Sequence, residues 1–259
     1  MRMPRMLSRT AYSRYERGLT REILAWPIPK HIAMIMDGNR RYAAEFLDGN
    51  GNEGHRKGEE KIEEMLEWCL DLNIKYVTVY ALSTENFKRD RGEIDYIMRL
   101  SETALHRMAD NKKIHEKKVK IKVFGDHSSL PESVREAIQY AEEKTSSYSD
   151  FRFNVAMAYG SRQEIISAVK DIAKKVANNE MDIEDISEEI FSKHLYTSDM
   201  PDPDLILRTS GEVRISNFLL WQLAYSELYF TDVYWPGFRY IDFLRAIRSY
   251  QQRVRRYGE

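Results

Sequence analysis

The chain has 259 residues, of which 42% are hydrophobic and 12% aromatic, so it can bury a core and its composition excludes intrinsic disorder. The formal net charge of -1 excludes a global field that would draw it to nucleic acid, and no segment approaches the ~20 apolar residues needed to span a bilayer. The single cysteine, Cys69, excludes an intramolecular disulfide, and its apolar surroundings at helical spacing predict a buried core thiol. We therefore expect a cytoplasmic protein that binds no nucleic acid.

The first thirty residues form a basic segment, which we distinguish from a main domain over residues 31–259. Arginines alternate with tyrosine, leucine, isoleucine and tryptophan until Pro27 and Pro29, which predicts an amphipathic helix. Packing of this helix on the main domain is the favoured interpretation. The alternative is adsorption to an anionic membrane surface, where basic amphipathic helices bind.

Short apolar runs alternate with segments of helical periodicity in the rest of the chain. The runs predict strands at 32–36, 76–82, 119–124, 151–158, 205–207 and 227–230. The periodic segments predict helices at 53–72, 93–116, 131–144, 162–177, 187–195 and 241–256. This alternation predicts a single α/β domain with a central, largely parallel sheet covered by helices.

Polar loops follow three of the predicted strands. Asp37 comes directly after the first strand, Ser83 after the second, and Arg208 ends a later one. Ligands of such sheets bind beyond the carboxyl ends of the strands, so we expect all three loops to meet at one cleft.

The loop Asp37-Gly38-Asn39-Arg40-Arg41 has the composition of a phosphate site. Glycine lets the backbone approach a ligand closely, and free N–H groups at a helix start favour anions. Because the Asp37 carboxylate would repel a bare phosphate, a divalent cation must mediate, and Mg²⁺ usually takes one or two carboxylates together with phosphate oxygens. The alternative is that Asp37 caps an ordinary turn.

The two other loops each allow a binding and a structural interpretation. The segment from Ser83 to Arg89 offers hydroxyls, an amide, an aromatic ring and a guanidinium, yet its Ser/Thr and Glu are also spaced for a capping box that opens the next helix. Both interpretations can hold together. Arg208 and Arg214 bracket a glycine-containing loop, where their planar groups suit bidentate contact with phosphate; surface salt bridges are the alternative.

Glu227 and His55 are further candidates. Glu227 follows an apolar stretch, where a carboxylate needs a partner, so we expect a salt bridge or a second metal ligand. His55 lies at a helix start in Gly54-His55-Arg56-Lys57-Gly58, where it could donate to phosphate or be structural.

Together, these segments from about His31 to Gly258 resemble the cis-prenyltransferases, the undecaprenyl diphosphate synthase family. The resemblance implies a catalytic domain over residues 31–259 that condenses isopentenyl diphosphate with an allylic diphosphate primer, farnesyl or geranylgeranyl diphosphate. The implied product is a long-chain polyprenyl diphosphate, the precursor of a glycosyl carrier lipid. The resemblance also implies dependence on Mg²⁺, a homodimer, a hydrophobic tunnel and transient membrane-surface contact during product release. The alternative is a non-catalytic subunit of a heteromeric synthase.

The resemblance assigns roles to individual residues. Asp37 would be the essential acid and hold Mg²⁺ together with Glu227, and Asn86 would be a catalytic group that orients the substrate. The residues implied at the allylic diphosphate are Gly38, Asn39, Arg40, Arg41, His55 and Arg89. Those implied at the diphosphate of isopentenyl diphosphate are Arg208, Arg214 and Ser216. The other substrate-binding candidates are Tyr42, Ser83, Thr84, Glu85, Phe87, Ile215, Arg256 and Gly258, the last two in a tail that would reach the partner subunit's site.

Several positions depart from the bacterial pattern of the family and look archaeal or eukaryotic. Tyr42 and Phe87 stand at positions where many bacterial members have tryptophan, Arg40 replaces a glycine, and Val213 replaces a histidine near the metal. The candidate tunnel residues, each equally consistent with an ordinary core, are Met34, Ile35, Leu82, Ile97, Leu100, Leu105 and Val123.

Overall fold

The computed structural model describes the backbone of residues 5–253 and the side chains of residues 14–253. Six strands form one sheet: β1 (His31–Ile35), β2 (Tyr76–Tyr80), β3 (Val119–Phe124), β4 (Phe151–Ala156), β5 (Leu205–Arg208) and β6 (Glu227–Phe230). Their order is β3-β4-β2-β1-β5-β6, and each pair of neighbours is parallel. The predicted α/β class is confirmed, and the sheet of the described residues is parallel throughout.

Helices connect and cover these strands. They are α1 (Arg5–Leu24), α2 (Asn39–Phe46), α3 (Gly51–Asp71), α4 (Arg91–Ala109), α5 (Lys112–Glu116), α6 (Glu132–Lys144), α7 (Ser161–Ala177), α8 (Glu188–Ser192) and α9 (Tyr240–Gln252). The predicted helix over 93–116 is wrong as one element, because the Asn111 side chain accepts a hydrogen bond from the Lys113 N–H and starts α5 as a separate helix.

Two strands end earlier than their apolar runs predict. β2 ends at Tyr80 although the run continues to Leu82, and β4 ends at Ala156 although the run continues to Ala158. Ala158 adopts a left-handed backbone conformation with φ 50°, which an extended strand cannot contain. The residues after both strands are therefore free to form loops at the edge of the sheet.

The N-terminal helix α1 packs on the domain, as the favoured interpretation predicts. Leu19 and Ile23 are buried in the main hydrophobic core, and the Gln251 side chain of α9 donates a hydrogen bond to the Ile23 carbonyl at 2.9 Å. Leu24 and Trp26 remain exposed. In the described part of the chain, no helix has the length and apolar character that crossing a membrane requires.

The register of the sheet places the predicted loops together at the carboxyl ends of the strands. Ile35 of β1 pairs with Tyr80 of β2 on one side and with Arg208 of β5 on the other, so these three strands end at the same level. Glu227 pairs with Leu205 at the beginning of its strand, which is the opposite edge. The convergence of Asp37, the Ser83 loop and Arg208 is thus confirmed, and Glu227 is excluded from it within one chain.

Candidate active site

An ion pair between Asp37 and Arg208 lies at the base of the cleft. Arg208 has only 4% of its surface exposed and donates from Nη2 to Asp37 Oδ2 at 2.8 Å and from Nη1 to Ser216 Oγ at 2.7 Å. Burial opposes ionisation of Asp37, but the hydrogen bond from Arg208 and the charges of Arg208 and Arg41 outweigh it and hold the pKa of this carboxyl below its usual range. Asp37 is therefore an anion at neutral pH.

Thr209 joins the two loops and was missed by the sequence analysis. Its hydroxyl accepts a hydrogen bond from the Asp37 N–H at 2.9 Å and donates to the Asp37 carbonyl at 2.7 Å. A hydroxyl beside an arginine is not a distinct sequence pattern, so the sequence alone did not indicate this contact.

Gly38 turns the chain from β1 into α2. Its φ is 106°, and an added Cβ would lie 2.9 Å from both Ser210 Cβ and Tyr234 Cδ1. Only glycine fits this conformation and this space. The first N–H groups of α2 have no side-chain cap and border the cleft, which suits an anion.

Arg41 is held over the Asp37 carboxylate by several contacts. It donates to Ser210 Oγ at 2.5 Å and to Glu212 Oε1 at 3.0 Å, and its Nη2 lies 3.3 Å from Asp37 Oδ1. The guanidinium also lies 5.8 Å from the centre of the Tyr234 ring. These contacts hold the Arg41 guanidinium, a predicted phosphate-binding group, in one position.

Glu93 organises the other side of the cleft and was also missed. Its carboxylate accepts hydrogen bonds from Arg89 at 2.9 Å and His55 at 3.0 Å, and Arg40 lies 3.6 Å away. Burial lowers the pKa of His55 more strongly than Glu93 raises it, so the imidazole is neutral at pH 7. The described contact of His55 is with Glu93, and its donation to phosphate stays a prediction.

The Ser83 loop forms the predicted capping box with a different partner. The Ser83 N–H donates to Asn86 Oδ1 at 3.1 Å and Ser83 Oγ accepts from the Asn86 N–H at 3.2 Å, so Asn86 rather than a glutamate closes the box. The box opens a short 3-10 helix, Thr84–Lys88. Asn86 Oδ1 is therefore engaged in the box, and Asn86 also lines the cleft.

The predicted residues line a polar cleft of about 380 Å³. The candidates that line it are Asp37, Gly38, Asn39, Arg40, Arg41, His55, Ser83, Asn86, Arg89, Arg208, Arg214 and Ser216. The described substrate-binding candidates that do not line it are Tyr42, Thr84, Glu85, Phe87 and Ile215. Phe87 packs against the core instead, and Glu85 accepts a hydrogen bond from Asn217 at 3.1 Å.

An apolar cavity of about 110 Å³ continues from this cleft between α3, α4 and the sheet. The residues that line both spaces are Met36, Asn39, His55, Tyr80, Ala81 and Ile97. Three of the tunnel candidates line the apolar cavity: Ile97, Leu100 and Leu105. Ile35 and Leu82 line the polar cleft, whereas Met34 and Val123 are buried in the core.

Glu227 is a salt-bridge residue within this chain. Its carboxylate accepts a hydrogen bond from Arg253 at 2.6 Å, at the sheet edge opposite Asp37. Glu227 therefore does not lie beside Asp37 of the same chain, and its role as a second metal ligand, from a neighbouring subunit, stays a prediction. Within residues 14–253, no three or more His, Cys, Asp or Glu side chains form a metal-binding group. Arg256 and Gly258 lie outside the described residues.

Comparison with known proteins identifies the family of this site. The family model described as "Putative undecaprenyl diphosphate synthase" matches residues 35–258. The chain belongs to this family of cis-prenyltransferases.

Archaeal members of the undecaprenyl diphosphate synthase family match along most of their length. A protein of Pyrococcus horikoshii is 50% identical over 256 residues, covering 99% of this chain and 97% of the relative. One of Methanocaldococcus jannaschii is 53% identical over 247 residues, covering 95% and 88%. Both are named tritrans,polycis-undecaprenyl-diphosphate synthase (geranylgeranyl-diphosphate specific).

Solved structures of the family share the fold. Lavandulyl diphosphate synthase from Lavandula x intermedia, in complex with dimethylallyl diphosphate, matches with a TM-score of 0.85 and 36% identity over 90% of this chain and 99% of that one. A probable undecaprenyl diphosphate synthase from Campylobacter jejuni matches with a TM-score of 0.73 and 33% identity over 90% and 100%. The all-parallel sheet thus belongs to the fold of the cis-prenyltransferases.

Proposed function

We propose that this cis-prenyltransferase condenses isopentenyl diphosphate with geranylgeranyl diphosphate and extends it to a long-chain, undecaprenyl-like polyprenyl diphosphate. The product would be the precursor of a glycosyl carrier lipid. The observation that carries the proposal is the continuity of the arginine-lined cleft with the apolar cavity, which suits an amphiphile with a diphosphate head and a prenyl tail. The names of the archaeal relatives favour geranylgeranyl over farnesyl diphosphate as primer.

The cations of the cleft form two groups by their origin in the chain. Arg40, Arg41 and Arg89 come from α2 and the loop before α4, and Arg208 and Arg214 come from β5 and the loop after it. One charge pair at ~4 Å is worth about 4 kcal/mol at an effective dielectric of ~20, before desolvation. Two groups of guanidinium side chains match two diphosphates, with the allylic primer on the α2 side and isopentenyl diphosphate on the β5 side.

The donors of the cleft fit Mg²⁺ bound partly through its substrates. Asp37 is ionised, partly exposed and central, and Mg²⁺ is usually held by one or two carboxylates with phosphate oxygens and water completing its shell. When bound, Mg²⁺ supplies positive charge that stabilises a departing diphosphate. Asp37 would hold it, and Glu227 would contribute only from a second subunit of the proposed homodimer.

The arginines carry the electrostatic part of the reaction. As the allylic C–O bond breaks, its electron pair leaves with the diphosphate, and Arg41 stabilises the charge that develops. The π-bond of isopentenyl diphosphate attacks the allylic carbon, and a proton then leaves the new chain for a phosphate oxygen. An amide is a poor base, so Asn86 does not accept this proton. It orients the substrate through its amide nitrogen instead.

The growing chain would enter the apolar cavity. Each five-carbon unit that leaves water gains on the order of 4 kcal/mol, at about 0.8 kcal/mol for each CH₂ group. A long product is therefore held tightly, and its release would involve transient contact with a membrane surface.

Incorporation of labelled isopentenyl diphosphate into butanol-extractable product tests this function. We expect the purified chain to form product alone with Mg²⁺, with geranylgeranyl diphosphate as a better primer than farnesyl diphosphate. Product formation by the chain alone excludes the alternative of a non-catalytic subunit. An equal or better rate with farnesyl diphosphate would overturn the primer assignment, and no incorporation with any primer would overturn the proposed enzyme.

A further inference from the structure

Three segments of the chain meet beside the cleft at the Asn217 side chain. Its Oδ1 accepts a hydrogen bond at 2.9 Å from the Arg162 N–H at the start of α7. Its Nδ2 donates to Glu85 Oε1 at 3.1 Å and to Gln163 Oε1 at 3.2 Å. Asn217 therefore joins the loop after β5 both to the Ser83 loop and to α7.

The backbone at Asn217 has an unusual conformation that its surroundings hold in place. Ser216 and Asn217 are both left-handed, with φ of 46° and 62°, which is uncommon for residues other than glycine. The Asn217 carbonyl accepts a hydrogen bond from the Ser161 N–H at 2.8 Å. The next residue, Phe218, is fully buried and stacks on the Tyr80 ring with 4.5 Å between the ring centres. Such a backbone persists only where neighbouring contacts fix it, so these contacts determine the position of Ser216.

The two loops that Asn217 joins each carry a residue that lines the polar cleft. Ser216, directly before Asn217, accepts a hydrogen bond from Arg208 at 2.7 Å. Asn86, directly after Glu85, closes the capping box of the other loop. The bond between Asn217 and Glu85 therefore links the immediate chain neighbours of two cleft residues.

The junction between these loops is closely packed. A Cβ added at Gly160 would lie 2.7 Å from Asn217 Nδ2 and 2.8 Å from Thr84 Oγ1. The Thr84 N–H also donates to the Tyr159 carbonyl at 3.0 Å. Little room is left for one loop to move without the other.

We propose that Asn217 is a positioning residue that, through Glu85, holds Ser216 and Asn86 at the separation that the reaction requires. This inference rests on the proposed function, in which Ser216 binds the diphosphate of isopentenyl diphosphate and Asn86 orients the substrate. Asn217 does not line the cleft, so it acts through these neighbours. Groups that are already in place need no rearrangement when the substrate binds, so losing the bond should weaken binding of isopentenyl diphosphate more than binding of the primer.

Steady-state kinetics of Asn217→Asp tests this inference. Aspartate has nearly the same size, tolerates a left-handed backbone and keeps an oxygen for the Arg162 N–H, but it replaces the donor to Glu85 with a second carboxylate oxygen. We expect the KM for isopentenyl diphosphate to rise about tenfold, the upper scale for one lost hydrogen bond. The KM for geranylgeranyl diphosphate should change by less than about twofold.

The double variant Asn217→Asp/Glu85→Gln tests the bond itself. The glutamine amide can donate to the new carboxylate, which restores the hydrogen bond in reverse with the net charge of the wild-type pair. The KM for isopentenyl diphosphate should therefore return to within about threefold of the wild-type value. Glu85→Ala removes the acceptor without adding a like charge and should raise the same KM, which provides a second test if Asn217→Asp does not fold.

Asn178→Asp is the matched control. Asn178 Nδ2 also donates to a glutamate, Glu180 Oε1, at 3.1 Å, but at the exposed end of α7. The same substitution against the same kind of acceptor should leave both KM values unchanged. Thermal unfolding verifies that each variant is folded.

The outcomes separate this inference from the proposed function. Three results overturn the positioning role and leave the enzyme assignment standing: an unchanged KM for isopentenyl diphosphate in folded Asn217→Asp, an equal rise in both KM values, or a double variant no better than Asn217→Asp. A wild-type chain that makes no polyprenyl product overturns the proposed function and this inference with it.

Discussion

Asp37 is the residue on which the chemistry of the cleft depends. Its carboxylate lies against Arg208 and Arg41, and its backbone is held on both sides by the Thr209 hydroxyl. This arrangement keeps a negative charge fixed among cations that would otherwise repel one another. The same charge is the one available at the centre of the cleft to attract a divalent cation.

Replacing Asp37 tests this role with little change in shape. Asp37→Asn should lower the rate of isopentenyl incorporation by about 10²-fold or more, the scale of losing a preorganised electrostatic group. The measurement is steady-state incorporation across a Mg²⁺ titration, with circular dichroism to check folding. Asp48→Asn, which neutralises an exposed carboxylate just beyond α2, serves as the control and should retain activity. An active Asp37→Asn enzyme would contradict the central role of this carboxylate.

His31 gives a residue-scale prediction about pH. Burial lowers its pKa from 6.5 to about 4, and its ring bonds the Pro201 carbonyl at 2.7 Å and the Thr78 hydroxyl at 2.8 Å. Between those pH values the unfolded chain binds the proton and the folded chain does not, so stability falls as the pH drops from 6.5 towards 4. The loss should reach about 3 kcal/mol.

Urea unfolding at pH 7 and pH 5 measures this effect. His31→Gln should be less stable than the wild type at pH 7, because a fitted buried ring is lost, but its stability should fall less between the two pH values. A variant that loses as much stability on acidification as the wild type would show that another group carries the pH dependence.

Single residues show where sequence reasoning succeeds at this site and where it stops. Asp37 and Arg208 were predicted because a charged residue directly after an apolar strand is visible in one sequence. Glu93 was not, because it lies 38 positions from His55 along the chain and meets that side chain only in the folded protein. Thr209 was overlooked because a hydroxyl beside an arginine carries no distinct signal.

At the scale of elements, hydrophobic periodicity does not fix every helix and helix boundary, and local contacts decide the rest. The short helix α2 buries only Ala43, so its sequence has no apolar stripe from which a helix could be predicted. The boundary between α4 and α5 depends on one asparagine cap inside a continuous helical pattern. The strongly periodic α3 and the apolar strands were predicted within a few residues of their observed bounds.

The contact between α1 and α9 gives an element-scale prediction with a neighbouring control. Ile23 is 0% exposed in the core, whereas the adjacent Leu24 is 57% exposed. Ile23→Ala should lower the free energy of unfolding by roughly 2–5 kcal/mol, the range for truncating a buried isoleucine or leucine. Leu24→Ala should change it by about 0.5 kcal/mol or less. Denaturant unfolding measures both, and equal effects would show that α1 is not anchored through Ile23.

At the scale of the whole molecule, the parallel sheet brings the residues of the cleft together. Residues 37, 83 and 208 meet because three parallel strands end at one level, which a sequence can predict once the strands are recognised. Glu227 is the first residue of its parallel strand, so it lies at the opposite end of the strands from these three residues. The order of strands within one chain does not indicate which residues a second subunit would supply to the cleft.

The joined polar cleft and apolar cavity predict how turnover responds to its surroundings. A product with many five-carbon units buries a large apolar surface, so its release should limit the steady-state rate. A mild detergent or lipid vesicles should therefore raise steady-state turnover several-fold. The rate of a single condensation should stay nearly unchanged, because no long product has to leave.

Comparing multiple-turnover with single-turnover incorporation, each with and without detergent, separates these steps. A burst of product before the steady state, present only without detergent, would support slow release. Because detergent could also act on the protein itself, a serum albumin that binds prenyl chains in solution provides the control and should produce the same acceleration. If detergent instead accelerates the single condensation to the same extent, chemistry or substrate entry limits turnover, and the apolar cavity does not retain the product.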